Sequence, residues 1–182
     1  VAEHPPLDRI VVAIDPPGAS HAGSDECGIV VAGISMKGNV HEWRAFVLED
    51  ASMSAARPTA WAEAAIAAMR RHGADRLVAE VNQGGDMVEA VLRGVDQMVP
   101  YRSVHASKGK VARAEPIAAL YEQGRVSHLR GLSVLEDQMA QMTTRGFEGK
   151  GSPDRVDALV WALYDLMIEP AKTWRNPSIR GL

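Results

Sequence analysis

Three apolar, β-branched runs crowd the start of the chain, and that crowding limits the fold more than any other feature. Arg9 to Asp15 (RIVVAID) is the first, Cys27 to Met36 (CGIVVAGISM) the second, and Val40 to Leu48 the third. A loop rich in Pro, Gly, Ser and His (Pro16 to Glu26) joins the first two, and the turn Lys37-Gly38-Asn39 joins the second to the third. A parallel crossover needs a dozen or more residues, usually a helix. Strands this close therefore pair most simply as an antiparallel meander.

The period then changes. Pro58 to His72 carries Trp61, Ala64, Ala65, Ala68 and Met69 at helical spacing, with Gly73 placed to close the helix. Arg76 to Val81 (RLVAEV) reads as a strand with Glu80 at its end, and Gly84-Gly85 leads into a helix from about Asp86 to Arg93. A strand is expected within Val99 to Ala106, then a helix from Ala112 to Gln123 closed by Gly124. Two more helices follow, Leu132 to Met142 and Arg155 to Ile168, the last stopped at Pro170. The β-α-β-α middle implies parallel pairing. The expectation is one α/β domain whose mixed sheet has about five main strands, three antiparallel and then parallel, flanked by helices. Residues 9–169 form that domain, 1–8 read as a linker remnant, and 170–182 read as a loose polar tail. His4-Pro5-Pro6 and the start at Val1 suggest a piece of a longer protein.

Composition narrows the function. Of the 182 residues 46% are hydrophobic and 24% charged, which suits a globular domain and not a disordered chain. No apolar run approaches the ~18 to 20 residues a membrane span needs, and no secretory leader is visible, so a soluble intracellular domain is expected. The single cysteine, Cys27, allows neither an internal disulfide nor a multi-cysteine zinc site. There is no phosphate-binding loop of the G-x-x-x-x-G-K-[ST] type. With a net charge of −3, nucleic acid would have to be held through a local basic patch.

Acids at the ends of elements carry the chemistry. Asp15 closes the first strand and Glu80 the first strand after the helix, so adjacent strands would set two carboxylates at one sheet edge. Asp154 and Asp157, in SPDRVDALVWAL, share the first turn of the last helix. Converging carboxylates are costly without compensation, and a hard divalent cation with oxygen ligands supplies it. Each acid also has a plain structural role open to it. Asp154 or Ser152 would cap the last helix, and Asp157 would favour its positive end.

Four segments in this order, DPPGASHAGSDECGIVVAG, AEVNQGGDMV, SKGKVARAEPIAALYEQGRV and GSPDRVDALVWAL, carry a resemblance over about Arg9 to Ile168. They resemble the nuclease domain of the large terminase subunit, the DNA-packaging motor of tailed phages, prophages and gene transfer agents. That resemblance implies an RNase H-like fold and metal-dependent cleavage of double-stranded, concatemeric DNA during genome packaging. It implies Asp15, Glu80 and Asp157 as catalytic metal ligands, with Asp154 as an accessory ligand. Two Mg²⁺ or Mn²⁺ ions would clamp the scissile phosphate and leave a 5′ phosphate and a 3′ hydroxyl. It also implies an ATPase domain in the same full-length chain, the portal and the small terminase subunit as partners, no membrane, and the bacterial host cytoplasm as the place of work. A Holliday-junction resolvase or RNase H relative with the same acids is the alternative, and a non-catalytic DNA-binding module a third.

Basic residues are the remaining signal. Between Tyr101 and Arg113 lie Arg102, Lys108, Lys110 and Arg113 with no acid among them, and Arg145 and Lys150 flank glycines in TTRGFEGKGSPDR. Lys108, Lys110, Arg113, Arg145 and Lys150 are candidate phosphate contacts, although solvated loops would look much the same. Asn82, Gln83, His21 and Asp25 lie close in sequence to the acids without a residue pattern that requires function. Trp61 and Trp161 sit among aliphatic residues at helical spacing, as core residues do.

Overall fold

A computed structural model describes residues 1–16, 26–54, 57–81, 86–105 and 109–174. Strands β1 (Arg9–Asp15), β2 (Glu26–Ser35) and β3 (Arg44–Asp50) form the expected antiparallel meander, in register from Arg9 opposite Ile34 to Asp15 opposite Gly28. The third strand starts later than its pattern suggests. Val40–Glu42 forms a 3₁₀ turn first, in which Glu42 accepts a 2.7 Å hydrogen bond from the Asn39 amide. A two-residue strand, β4 (Met53–Ser54), pairs with the start of β2.

Helix α1 (Pro58–His72) spans the length its pattern predicts, and Gly73 ends it in the left-handed conformation that its position requires. The alternating middle follows as β5 (Arg76–Glu80), α2 (Asp86–Val95), β6 (Tyr101–Val104) and α3 (Lys110–Glu122). β5 joins β1 in parallel and β6 joins β5 in parallel. Beyond α3, a short strand β7 (Val126–His128) pairs in parallel with β3 at the opposite edge. The sheet order is therefore β6-β5-β1-β2-β3-β7, with β4 on β2. Helix α4 (Ser133–Met139) and a small hairpin, β8 (Met142–Thr143) with β9 (Gly146–Phe147), precede α5 (Asp154–Leu163). The hairpin falls where the sequence suggests the end of a helix. α4 stops at Met139, three residues short of that expectation.

The last helix does not stop at Pro170. α5 passes into a π-helical turn at Tyr164–Ile168, and α6 (Glu169–Thr173) starts afresh with Pro170 in its first turn, where a missing amide hydrogen costs nothing. At its end Trp174 stacks edge-on against the buried Trp43, ring centroids 5.0 Å apart.

Period-two alternation divides the core into two layers. Val12, Ile14, Ile29, Val31 and Leu77 face α1 and α2. Val11, Ala13, Val30, Ala32 and Val78 face α5, with α3 and α4 beside it. The same alternation places Asp15, Gly28 and Glu80 on the α5 side, because each is an even number of residues from a core residue facing that helix. Among the described residues no helix is long and apolar enough to cross a membrane.

Candidate metal centre

Asp15 ends β1, and its antiparallel partner on β2 is Gly28. A side chain at Gly28 would collide with the Asp154 carbonyl group, so only glycine lets the first turn of α5 settle directly on β2. That approach carries Asp154 and Asp157 to Asp15. One carboxylate oxygen from each of the three lies within 4.8 Å of the others. Asp154 and Asp157 are buried and Asp15 is partly so.

Arg155 fixes the same turn from the other side. Its guanidinium reaches Glu26 at the start of β2 (2.9 and 3.1 Å) and Asp50 at the end of β3 (2.5 Å). The turn is capped by neither Ser152 nor Asp154. Pro153 occupies the cap position and its carbonyl accepts the Asp157 amide at 2.8 Å. Both aspartates of this turn also take part in the acid cluster.

Glu80 is placed differently. β1 and β5 run parallel in a register that sets Ile14 opposite Ala79, so Glu80 ends its strand beside Asp15. Its carboxylate does not join the other three within 4.8 Å. One oxygen, Oε2, accepts hydrogen bonds from Arg113 Nη1 (2.7 Å) and from the Trp161 indole Nε1 (2.8 Å). The Arg113 guanidinium stacks on Trp161, 4.5 Å from the ring centroid. Trp161 is a core residue, as its spacing suggests, yet its polar atom serves Glu80.

The basic candidates separate as well. Arg113 is not on the surface: it is 7% exposed and committed to Glu80. Its burial follows from the packing of α3 on α5, which no local pattern reports. Arg145, in the β8–β9 turn, is exposed and reaches Glu148 at 3.0 Å. Lys150 is exposed and lines a groove of about 700 Å³ shared with Asp154 and Arg155. Lys110 is the first residue of α3. Lys108, His21, Asp25, Asn82 and Gln83 lie outside the described residues. Arg102 at the sheet edge pairs with Asp165 at 2.8 Å.

Two features of the structure are missed by sequence reasoning. Asp165, in the π-helical turn, is buried and held by Arg76 through both oxygens as well as by Arg102. An acid inside the apolar run YDLMI was the available signal. Gly28 is the other, a glycine interrupting a β-branched strand. Cys27 is buried on the opposite face of β2, among residues facing α1. Burial, with the charges of Asp15 and Asp154 behind it, pushes its thiol pKa far up, so it remains a protonated core residue.

Among the described residues, the ligand atoms that meet at this centre are hard carboxylate oxygens, a donor set that suits Mg²⁺, Mn²⁺ or Ca²⁺ better than soft ions.

A family profile described as the terminase RNaseH-like domain matches residues 12–166. Among solved structures, the human cytomegalovirus terminase nuclease domain superposes with a TM-score of 0.61 at 14% identity, covering 87% of this chain and 83% of that one. The large terminase nuclease from thermophilic phage G20c gives 0.61 at 17% identity, covering 87% and 82%. The nuclease domain of the bacteriophage SPP1 large terminase, solved with bound Mn, gives 0.59 at 14% identity, covering 87% of each. A search of curated protein sequences finds no match.

Proposed function

Since the chain belongs to the terminase RNase H-like domain family, we propose that it is a divalent-metal-dependent endonuclease that cuts double-stranded concatemeric DNA during genome packaging. The convergence of Asp15, Asp154 and Asp157 within 4.8 Å, drawn from the first strand and the last long helix, carries this reading. The donor set fits Mg²⁺ or Mn²⁺, and the SPP1 relative was solved with Mn.

When bound, such ions polarise the scissile phosphate and activate water. The chain supplies the rest. Asp15, Asp154 and Asp157 would hold the first ion, and Glu80, at the end of the strand beside Asp15, is the further carboxylate for a second. The first turn of α5 lends the positive end of its dipole to the same place. Lys150 lines the groove that reaches Asp154, and the exposed Arg145 is bound to Glu148 of the same lining, where phosphates flanking the cut would lie. No side-chain nucleophile is needed, which agrees with Cys27 being buried.

In this reading residues 9–169 are the nuclease unit, between a linker at 1–8 and a tail at 170–182. Its partners are double-stranded DNA, the ATPase domain of the full-length chain, the portal and the small terminase subunit, in the cytoplasm of a bacterial host.

Cleavage of supercoiled plasmid with Mn²⁺, Mg²⁺ or EDTA tests the proposal, beside Asp15→Asn and Asp157→Asn. Nicking and linearisation that need the ion and vanish in both variants are expected. Equal cleavage by the variants would remove these residues from the centre. Cleavage confined to four-way junctions or RNA–DNA hybrids would replace the packaging role by that of a resolvase or an RNase H.

A further inference from the structure

We propose that Arg113 and Trp161 form a clasp that withholds Glu80, so that the resting fold offers one ion position at Asp15–Asp154–Asp157 and completes a second only when Glu80 leaves the clasp. This rests on the metal-centre reading above and adds to it a residue-level control of ion number.

The argument starts from burial. The Glu80 side chain is 8% exposed and its counter-charge, Arg113, is equally buried. A carboxylate that deep must face a cation. In the fold that cation is a guanidinium, and the indole hydrogen bond goes to the same oxygen. Trp161 lies four residues after Asp157, one turn further along α5 and on the same face. With Oε2 held by Arg113 and Trp161, the Glu80 carboxylate stays outside the group of three whose oxygens lie within 4.8 Å of one another.

Arg113 is itself pre-set for the task. Stacked on the indole, its fork keeps one orientation, and among the described residues its buried Nε finds no acceptor. Among the described residues, Glu80 is the acid with which this guanidinium pairs. Residues that merely orient a metal ligand leave that ligand in the ion's reach, and losing them weakens binding by ~10- to 100-fold. A clasp makes the opposite prediction: its loss frees a buried carboxylate whose best remaining partner is the ion.

Mn²⁺ binding measured by calorimetry and by electron paramagnetic resonance decides between them without reference to cleavage. The wild-type chain should bind one Mn²⁺, with a second only at much higher concentration. Arg113→Met should tighten the second ion by about tenfold or more and give the exchange-coupled signal of a close Mn²⁺ pair. Adding Glu80→Gln to Arg113→Met should return the chain to one ion. Trp161→Phe keeps an aromatic face beneath Arg113 while removing the indole donor and part of the ring; it should move the second ion in the same direction by less, and it carries the test if Arg113→Met does not fold. A weaker or unchanged second ion in both single variants overturns the clasp and leaves the first site standing. Absence of any Mn²⁺ binding by the wild type would instead overturn the metal-centre reading itself.

Discussion

Gly28 lies directly beneath the carbonyl group of Asp154, too close for any side chain to separate them. Since Gly28 is also the strand partner of Asp15, one glycine sets the distance between the first acid of the chain and the last two. Gly28→Ala should push the start of α5 off the sheet. We expect a stability loss of about 1–3 kcal/mol in urea titrations, typical of overpacking. Mn²⁺ affinity should fall by roughly tenfold or more in calorimetry, since the lost distance is the one the ion reads.

The acid cluster should make folding stability depend on the ion. At a Mn²⁺ concentration 100 times its Kd, the wild-type chain gains about 2.7 kcal/mol against unfolding. Asp157→Asn should lose most of that gain while retaining its far-ultraviolet circular dichroism. Thermal melts with Mn²⁺ and with EDTA provide the comparison.

Arg155 should be worth more than an ordinary surface arginine. Its partner Asp50 is almost wholly buried, whereas Glu26 is 30% exposed. Arg155→Met leaves Asp50 without its cation and should cost roughly 3–5 kcal/mol, as breaking a buried pair does. Glu26→Gln should cost about 1 kcal/mol or less, because water screens that end. Chemical denaturation of the two variants would reverse this assignment if Glu26→Gln proved the more damaging.

Acid should loosen the β7 edge through His128. With the ring neutral, Nδ1 donates to the Glu136 carboxylate at 3.0 Å and Nε2 accepts from the Tyr121 hydroxyl at 2.6 Å. That arrangement needs a neutral ring. Burial lowers the His128 pKa from its usual 6.5, and Glu136 offsets part of that lowering. With the folded value below the unfolded one, the contribution is full above pH 6.5 and is lost as the pH falls below it. The drop in Tm between pH 7.5 and 5.5 should be larger in the wild type than in His128→Asn.

Where the sequence is periodic, it is readable. β1 and α1 have the bounds their patterns imply, because alternation in RIVVAID and helical spacing in PTAWAEAAIAAM are enforced by the layers on which they pack. β7, three residues long, and the β8–β9 hairpin, two residues a strand, are too short to carry a period. Asp15, Asp154 and Asp157 stand out as acids at the ends of apolar elements. The separate position of Glu80 does not stand out, because it is decided by Arg113 from α3 and Trp161 from α5. Burial of Arg113 is a tertiary event, and in a run with Arg102, Lys108 and Lys110 its charge looks like all the others.

The acid cluster draws on both ends of the domain, Asp15 from its first strand and Asp154 and Asp157 from its last long helix. This sets a clock on synthesis. Until the ribosome has released α5, the emerging polypeptide holds Asp15 and Glu80 but no place for an ion, whatever part of the sheet has already formed. On the proposed reading, a product cut short before residue 154 lacks two of the three acids that would hold the ion. The capacity to cut DNA, on this reading, arrives only with α5, the helix that packs on the core of the sheet.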